Sequence, residues 1–190
     1  MEVKAYHGTG ELESILKDKT LYSWYRVEAK AYTGEELSRL HALAQSEYQS
    51  LTSRMAALVR ANPGKARKLF SIDVRNATDE QLADIAEDME LGEPQHYKEL
   101  RRKYFVWLGN YETALQAVER KNYVLEFTIP EYKIRQGRTG SAVLVWWELS
   151  LNHLTRVFTH PGRIEETRHL LEKYGISDKE VLGFNTPPNF

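Results

Sequence analysis

Apolar positions recur along this chain with two periods, and the point where the period changes divides it. Val3 to His7 alternate and stop at Gly8-Thr9-Gly10, which predicts a short strand running into a turn. From Glu11 to Asp18, Leu12, Ile15 and Leu16 share one helical face, so a short helix should pack back on that strand, with Thr9 placed to cap it. Leu21 to Val27 is aromatic and β-branched, and reads as extended chain. Thr33-Gly34-Glu35-Glu36 has the form of a capping box. After it Leu37, Leu40, Ala44, Tyr48, Leu51, Met55 and Leu58 recur every three or four residues until Asn62-Pro63-Gly64, predicting one long helix with a narrow apolar stripe. Thr78 to Gln81 is a second capping box, opening a helix that buries Leu82, Ile85, Ala86 and Met89 and ends at Gly92. A third helix starts at Pro94.

Beyond residue 103 the alternation of strands takes over. Tyr104 to Leu108 predicts a strand, Gly109-Asn110 a turn and cap, and Tyr111 to Arg120 a helix with Ala114, Leu115 and Val118 inward. Tyr123 to Ile129 predicts a strand stopped by Pro130, Gln136 to Ser141 a polar turn, and Ala142 to Leu149 the most apolar strand of the chain. A helix from Arg163 to Tyr174 should close at Gly175, followed by a capped turn from Ser177 and an irregular tail around Pro187-Pro188. The expected architecture is α+β: one domain over residues 1–190, with a helical elaboration inserted at about 33–103.

Composition narrows the function. With 42% hydrophobic and 11% aromatic residues the 190-residue chain has the apolar mass of a folded domain. A net charge of −1 gives no whole-molecule field toward nucleic acid or anionic membrane. The absence of cysteine excludes a thiolate metal site and a cysteine nucleophile. The longest apolar run, Ala142 to Trp147, is too short to span a bilayer, and the first residues lack the apolar core of a signal peptide, so a soluble, cytoplasmic protein without a membrane partner is expected. No Walker loop, dinucleotide fingerprint or nucleophile elbow is present, and His153, His160 and the pair His169 and Glu172 lack a third metal ligand at a useful spacing. The acidic residues between Asp79 and Glu93 and the basic run Lys98 to Lys103 read as solvated helix faces. Because it precedes Tyr104, the basic run also offers contact to a pyrophosphate or a nucleic-acid backbone.

Three polar side chains stand where apolar ones would be ordinary: His7 ending the first strand, Tyr104 opening the strand after the helices, and Glu148 directly after the apolar run that ends at Trp147. A carboxylate in such a run is costly unless it is paired or faces a cleft. Glu126, also within an apolar strand, is the other candidate carboxylate.

With their surroundings these residues resemble the ADP-ribosyltransferase fold, in the branch whose His-Tyr-Glu triad is shared by diphtheria-type toxins and poly(ADP-ribose) polymerases. Tyr6-His7-Gly8-Thr9 followed by Leu12 to Leu16 and Leu21 is similar to that family's opening strand and helix; Tyr104-Phe105 followed by Ala114 is similar to its second motif, Tyr123 to Pro130 to its hydrophobic strand, and Glu148 with Leu154 to Val157 to its third motif. The resemblance covers about half of the chain and leaves the helical block unaccounted for. It implies a split antiparallel β core, NAD as substrate, and a toxin- or effector-like mono-ADP-ribosyltransferase acting on a protein or nucleic acid. It implies that the Gly8 backbone binds the nicotinamide carboxamide, with His7 on the adenosine-side ribose and Thr9 beside them. Tyr104 would line the nicotinamide pocket, and Glu148 would hold the nicotinamide ribose. The family's stacking aromatic falls on Ala117, which leaves Tyr111 or Trp107 to take that place. Trp146, two before Glu148, stands where arginine-modifying members carry a second acid, which argues against arginine as acceptor. The same fold also hosts NAD glycohydrolases and RNA 2′-phosphotransferases, for which Arg135 and Arg138 are the phosphate-binding candidates. A non-enzymatic module binding a protein partner through the 33–62 helix is the alternative of a different class.

Overall fold

Two separated stretches, Met1–Ser23 and Phe105–Phe190, fold as one unit, and the intervening Trp24–Tyr104 folds as another. The structure is a computed structural model that describes residues 1–116, 123–136 and 142–184. The chain is mixed α+β. Among the described residues no helix is long and apolar enough to cross a membrane.

In the first unit, β1 (Glu2–Thr9) pairs antiparallel with β4 (Tyr123–Pro130), β4 with β8 (Leu154–Thr159), and β8 runs parallel to β9 (Glu180–Gly183). A second sheet has the order β3 (Phe105–Leu108), β6 (Val143–Trp146), β5 (Ile134–Gln136), and β2 (Thr20–Tyr22) pairs separately with β7 (Glu148–Ser150). Alternate residues of β4 serve two cores, which is why its sequence is almost continuously apolar. Leu125, Phe127 and Ile129 join Ala5, Val106, Val145, Leu149 and Val157 in the larger core between the sheets. Val124 joins Tyr6, Tyr111, Ala114 and Phe158 in a smaller one on the other face. Helices α1 (Leu12–Asp18) and α8 (Ile164–Lys173) close the larger core with Leu12, Leu16 and Leu171, while α7 (Tyr111–Gln116) closes the smaller.

The second unit is helical: α2 (Trp24–Glu28), α3 (Gly34–Arg60), α4 (Pro63–Phe70), α5 (Asp79–Asp88) and α6 (Pro94–Tyr104). The stripe Ala44, Tyr48, Leu51, Met55 and Val59 of α3 is buried, while the exposed Leu58 lies outside it. Gly92 sits at φ 71°, a conformation that L side chains rarely adopt, and an added Cβ would have to displace the end of the exposed Leu58 side chain, whose Cδ1 would be 2.9 Å away. Charge is buried here too. Arg101 Nη1 lies 3.1 Å from Asp84 Oδ1, Arg101 Nη2 meets the Glu87 carboxylate, and Tyr97 donates to Asp84 at 3.1 Å. The acidic face of α5 and the basic run of α6 are therefore partly one internal cluster, not two solvated surfaces.

Burial pushes the Asp84 carboxyl up to about 6, against the opposing pull of Arg101 and the Tyr97 hydroxyl. A folded-state value above the unfolded one means this group favours folding most below the ordinary aspartate value, and that the contribution is lost as pH rises to about 6. Relative to Asp84→Asn, the wild-type melting temperature should therefore gain as pH falls from neutrality toward 4. A difference between the two proteins that is constant over that range would contradict the assignment.

Several expectations are corrected. Leu21 to Val27 is not one extended segment: β2 ends at Tyr22 and a helix begins at Trp24, so the helical unit starts before residue 33. Thr33 is the N-cap of α3 but makes no side-chain capping bond, whereas Thr78 and Gln81 form the full reciprocal box at 3.2 and 3.0 Å. Residues 63–70 form a helix with Pro63 in its first turn, and β5 and β9 add strands that periodicity did not single out. The parallel β8–β9 pair makes the larger sheet mixed instead of wholly antiparallel. Tyr104 ends α6 and does not open a strand. The run Ala142 to Leu149 breaks at Trp147, whose φ of 69° turns the chain from one sheet into another. Ala117, Val118, Arg138 and the tail beyond 184 lie outside the described residues.

Candidate functional site

The C-terminal half of β1 meets the turn after β3, which brings His7 and Gly8 beside Trp107 and Gly109, whereas Glu148 stands in the separate β2–β7 pair. Tyr6 N–H donates to the Gly109 carbonyl at 2.9 Å and Gly109 N–H returns a bond to the Tyr6 carbonyl at 2.8 Å, so the turn after β3 is stitched to the edge of β1. Successive residues of a strand direct their amides to opposite edges. Gly8, two residues on, therefore aims its N–H and C=O at the same edge as Tyr6, away from β4. A donor and an acceptor on adjoining atoms of one edge form the complement of a primary carboxamide.

His7 lies between them. Its register partner on β4 is Leu125, so it shares the face of Ala5 and of the larger core, and it is half-buried. Nδ1 is 3.1 Å from the Trp107 carbonyl. A carbonyl only accepts, so this contact selects the Nδ1–H tautomer and makes Nε2 the accepting nitrogen. Thr9 is buried and its Oγ1 accepts from Glu11 N–H at 2.9 Å, fixing the turn into α1. Its side chain is thereby structural, but it does not cap α1 as expected: the N-cap is Glu11, which makes no side-chain capping bond.

The aromatic candidates separate. Tyr111 is buried edge-on to Tyr6 and Phe158, at 5.6 and 5.0 Å, and donates its hydroxyl to the Phe184 carbonyl at 3.1 Å. It belongs to the core on the face opposite His7, which removes it as a stacking platform. Trp107 is 40% exposed and its own carbonyl is the one that holds His7. Tyr104 belongs to the helical unit, where its hydroxyl donates to the Glu47 carboxylate and its ring meets Tyr25 edge-on at 5.3 Å. Burial and the neighbouring carboxylate raise its ionisation above the ordinary tyrosine range. Glu47 carried no sequence signal, being a lone exposed acid in the middle of α3.

Glu148 opens β7, opposite Tyr22 of β2, and it is exposed. This corrects the premise on which the sequence singled it out, since the free protein does not bury the group. What the structure supplies instead is a constrained backbone. Trp147 sits in the left-handed region, which is costly for a bulky L-residue, and Ser23 N–H binds its carbonyl at 2.9 Å. The position of Glu148 is thereby set from both sides, by this turn and by the β2 pairing.

The buried carboxylate is Glu126, at 2% exposure. Tyr6 OH and Thr155 Oγ1 both donate to it at 2.9 Å, and Arg156 Nη1 approaches to 3.7 Å while Arg156 Nε binds Glu180. These bonds satisfy it, and burial, followed by the bond to the Glu126 carboxylate, raises the Tyr6 phenol above its ordinary range against the opposing pull of Arg156. Glu126 is a structural group of the smaller core's face. Arg135 lies half-buried on β5, its guanidinium held down to about 10 by desolvation and so still cationic at neutral pH.

Compared with protein-family models, curated proteins and solved structures, the chain matches none.

Proposed function

We propose that this protein is an NAD-dependent mono-ADP-ribosyltransferase that transfers ADP-ribose to a macromolecule and releases nicotinamide. The observation that carries the reading is the outward-facing amide of Gly8 on the edge of β1, beside a histidine whose accepting nitrogen is selected by the Trp107 carbonyl. The carboxamide of nicotinamide donates to the Gly8 carbonyl and accepts from its N–H. His7 Nε2 accepts a ribose hydroxyl proton. Trp107 is the exposed aromatic next to this edge.

In the reaction the bond between ribose C1′ and the nicotinamide nitrogen breaks, and its electron pair leaves with the neutral base. Positive charge develops on the ribose, the acceptor nucleophile attacks C1′, and the acceptor loses a proton. Glu148 is the carboxylate assigned to that charge. Because it is hydrated in the free protein, it becomes effective as bound substrate displaces water and the local dielectric falls. Water as the nucleophile would give simple NAD hydrolysis at the same site.

His7→Ala should weaken NAD binding by roughly 5- to 150-fold, the range for loss of one buried hydrogen bond of about 1–3 kcal/mol. Titration calorimetry reads this directly. Wild-type affinity in a folded His7→Ala protein would return the residue to a purely structural role at the β1–β3 junction.

A further inference from the structure

We infer that α4 and the loop after it form a docking surface for the phosphate backbone of nucleic acid. Between Ala61 and Asn76 the chain carries Lys65, Arg67, Lys68 and Arg75 against the single acid Asp73. All four cations are exposed, and among the described residues none of them makes a side-chain ion pair or hydrogen bond. Three other cations of the same unit are matched: Arg54 by Glu93 at 2.9 Å, Arg60 by Asp79 at 2.7 Å, and Arg101 by Asp84 and Glu87. Asp73 is itself engaged, accepting from Arg75 N–H at 3.1 Å and from Asn76 Nδ2 at 2.9 Å. A local excess of positive charge thus stands on a chain whose net charge is −1.

The patch is also shaped. Arg67 and Arg75 line an open groove of about 760 Å³ together with Pro63, Gly64, Ser71 and Asp73, whose carboxylate is the one already bonded to Arg75 N–H and Asn76. Gly64 has nothing within 4 Å of where a Cβ would be, so the floor admits a close backbone approach. Two arginines whose planar forks suit phosphate oxygens, flanked by two lysines, match a polyanion with regularly spaced charges. An acidic peptide or an anionic membrane offers charge as well. The groove favours a strand of phosphates over a flat lipid surface, and α4, with only Ala66 buried and eight residues long, lacks the broad apolar face of a membrane-surface helix. If the transferase reading holds, this surface is where a nucleic-acid acceptor would dock; the binding itself does not depend on NAD.

The test is fluorescence anisotropy of the full chain with a labelled oligonucleotide, without NAD, at two salt concentrations. Four phosphate contacts predict an affinity loss on the order of 50- to 150-fold between 50 and 200 mM salt. Arg67→Glu with Arg75→Glu should abolish binding while leaving the circular dichroism spectrum and melting temperature near wild type, and Arg39→Glu on α3 should leave binding intact. Absence of oligonucleotide binding at low salt would overturn the proposal. So would equal or tighter binding to phosphatidylserine vesicles or polyglutamate, or indifference to the double substitution. Loss of NAD turnover with retained oligonucleotide binding would instead count against the transferase reading alone.

Discussion

Glu148→Gln should lower kcat for nicotinamide release on the order of 10²-fold or more, with KM for NAD and the melting temperature close to wild type. The amide keeps the size of the side chain and removes the charge that stabilises the developing ribosyl cation, an interaction made mainly in the transition state. The structure makes this contrast sharper than the sequence did. Glu148 is exposed at the start of a three-residue strand, so replacing it should change stability by no more than about 0.5 kcal/mol. Glu126→Gln should behave in the opposite way. It removes a buried charge that two hydroxyls and Arg156 surround, and should destabilise the fold while leaving turnover per folded molecule near wild type. Should the two variants exchange these behaviours, the catalytic carboxylate is Glu126.

Arg101→Met should cost about 3–5 kcal/mol of unfolding free energy, the range for removing one partner of a buried ion pair. The substitution retains apolar volume but leaves Asp84 and Glu87, with side chains 16% and 5% exposed, facing each other. The Tyr97 hydroxyl on Asp84 and Lys98, 3.6 Å from Glu87 and itself 41% exposed, stay beside them but do not replace the buried guanidinium. Urea denaturation measures the loss. A change under about 1 kcal/mol would mean that solvent reaches the cluster and that the pairing between α5 and α6 contributes little.

What was legible in the sequence follows from how local each determinant is. The Thr78 box involves four consecutive residues and forms as its spacing dictates. At Thr33 the same spacing fails, because Gly34 takes a φ of 57° and the Thr33 side chain makes no capping bond. Strand β4 was readable because both of its faces are covered. Tyr104 was misread although a helical signal was present: Tyr97, Leu100, Arg101 and Tyr104, all buried, keep the spacing of a helix face, but the aromatic run that follows reads as strand from its first residue. The turn at Trp147 had no signal, since a tryptophan in the left-handed region carries none of the marks that glycine or asparagine would. That turn removed the burial argument for Glu148. The charge cluster of the helical unit was invisible for another reason. An acidic face and a basic face read separately each resemble a solvated surface, and only their pairing across α5 and α6 buries them.

Of the site itself, the sequence marked His7, Gly8 and Trp107, and the fold joins them at one strand edge. Tyr111 was assigned to the ligand and belongs to the core. Tyr104 has its hydroxyl on Glu47 within the helical unit, a partner that no spacing rule announces.

The central claim is that NAD is cleaved at the nicotinamide ribosyl bond, and release of free nicotinamide from carbonyl-labelled NAD tests it most directly. The account predicts release by the full chain, lost on the order of 10²-fold or more in Glu148→Gln and recovered to near wild-type turnover in His7→Ala as NAD is raised toward saturation. NAD left intact by a folded wild-type protein, both alone and with protein, DNA and RNA offered as acceptors, would contradict it.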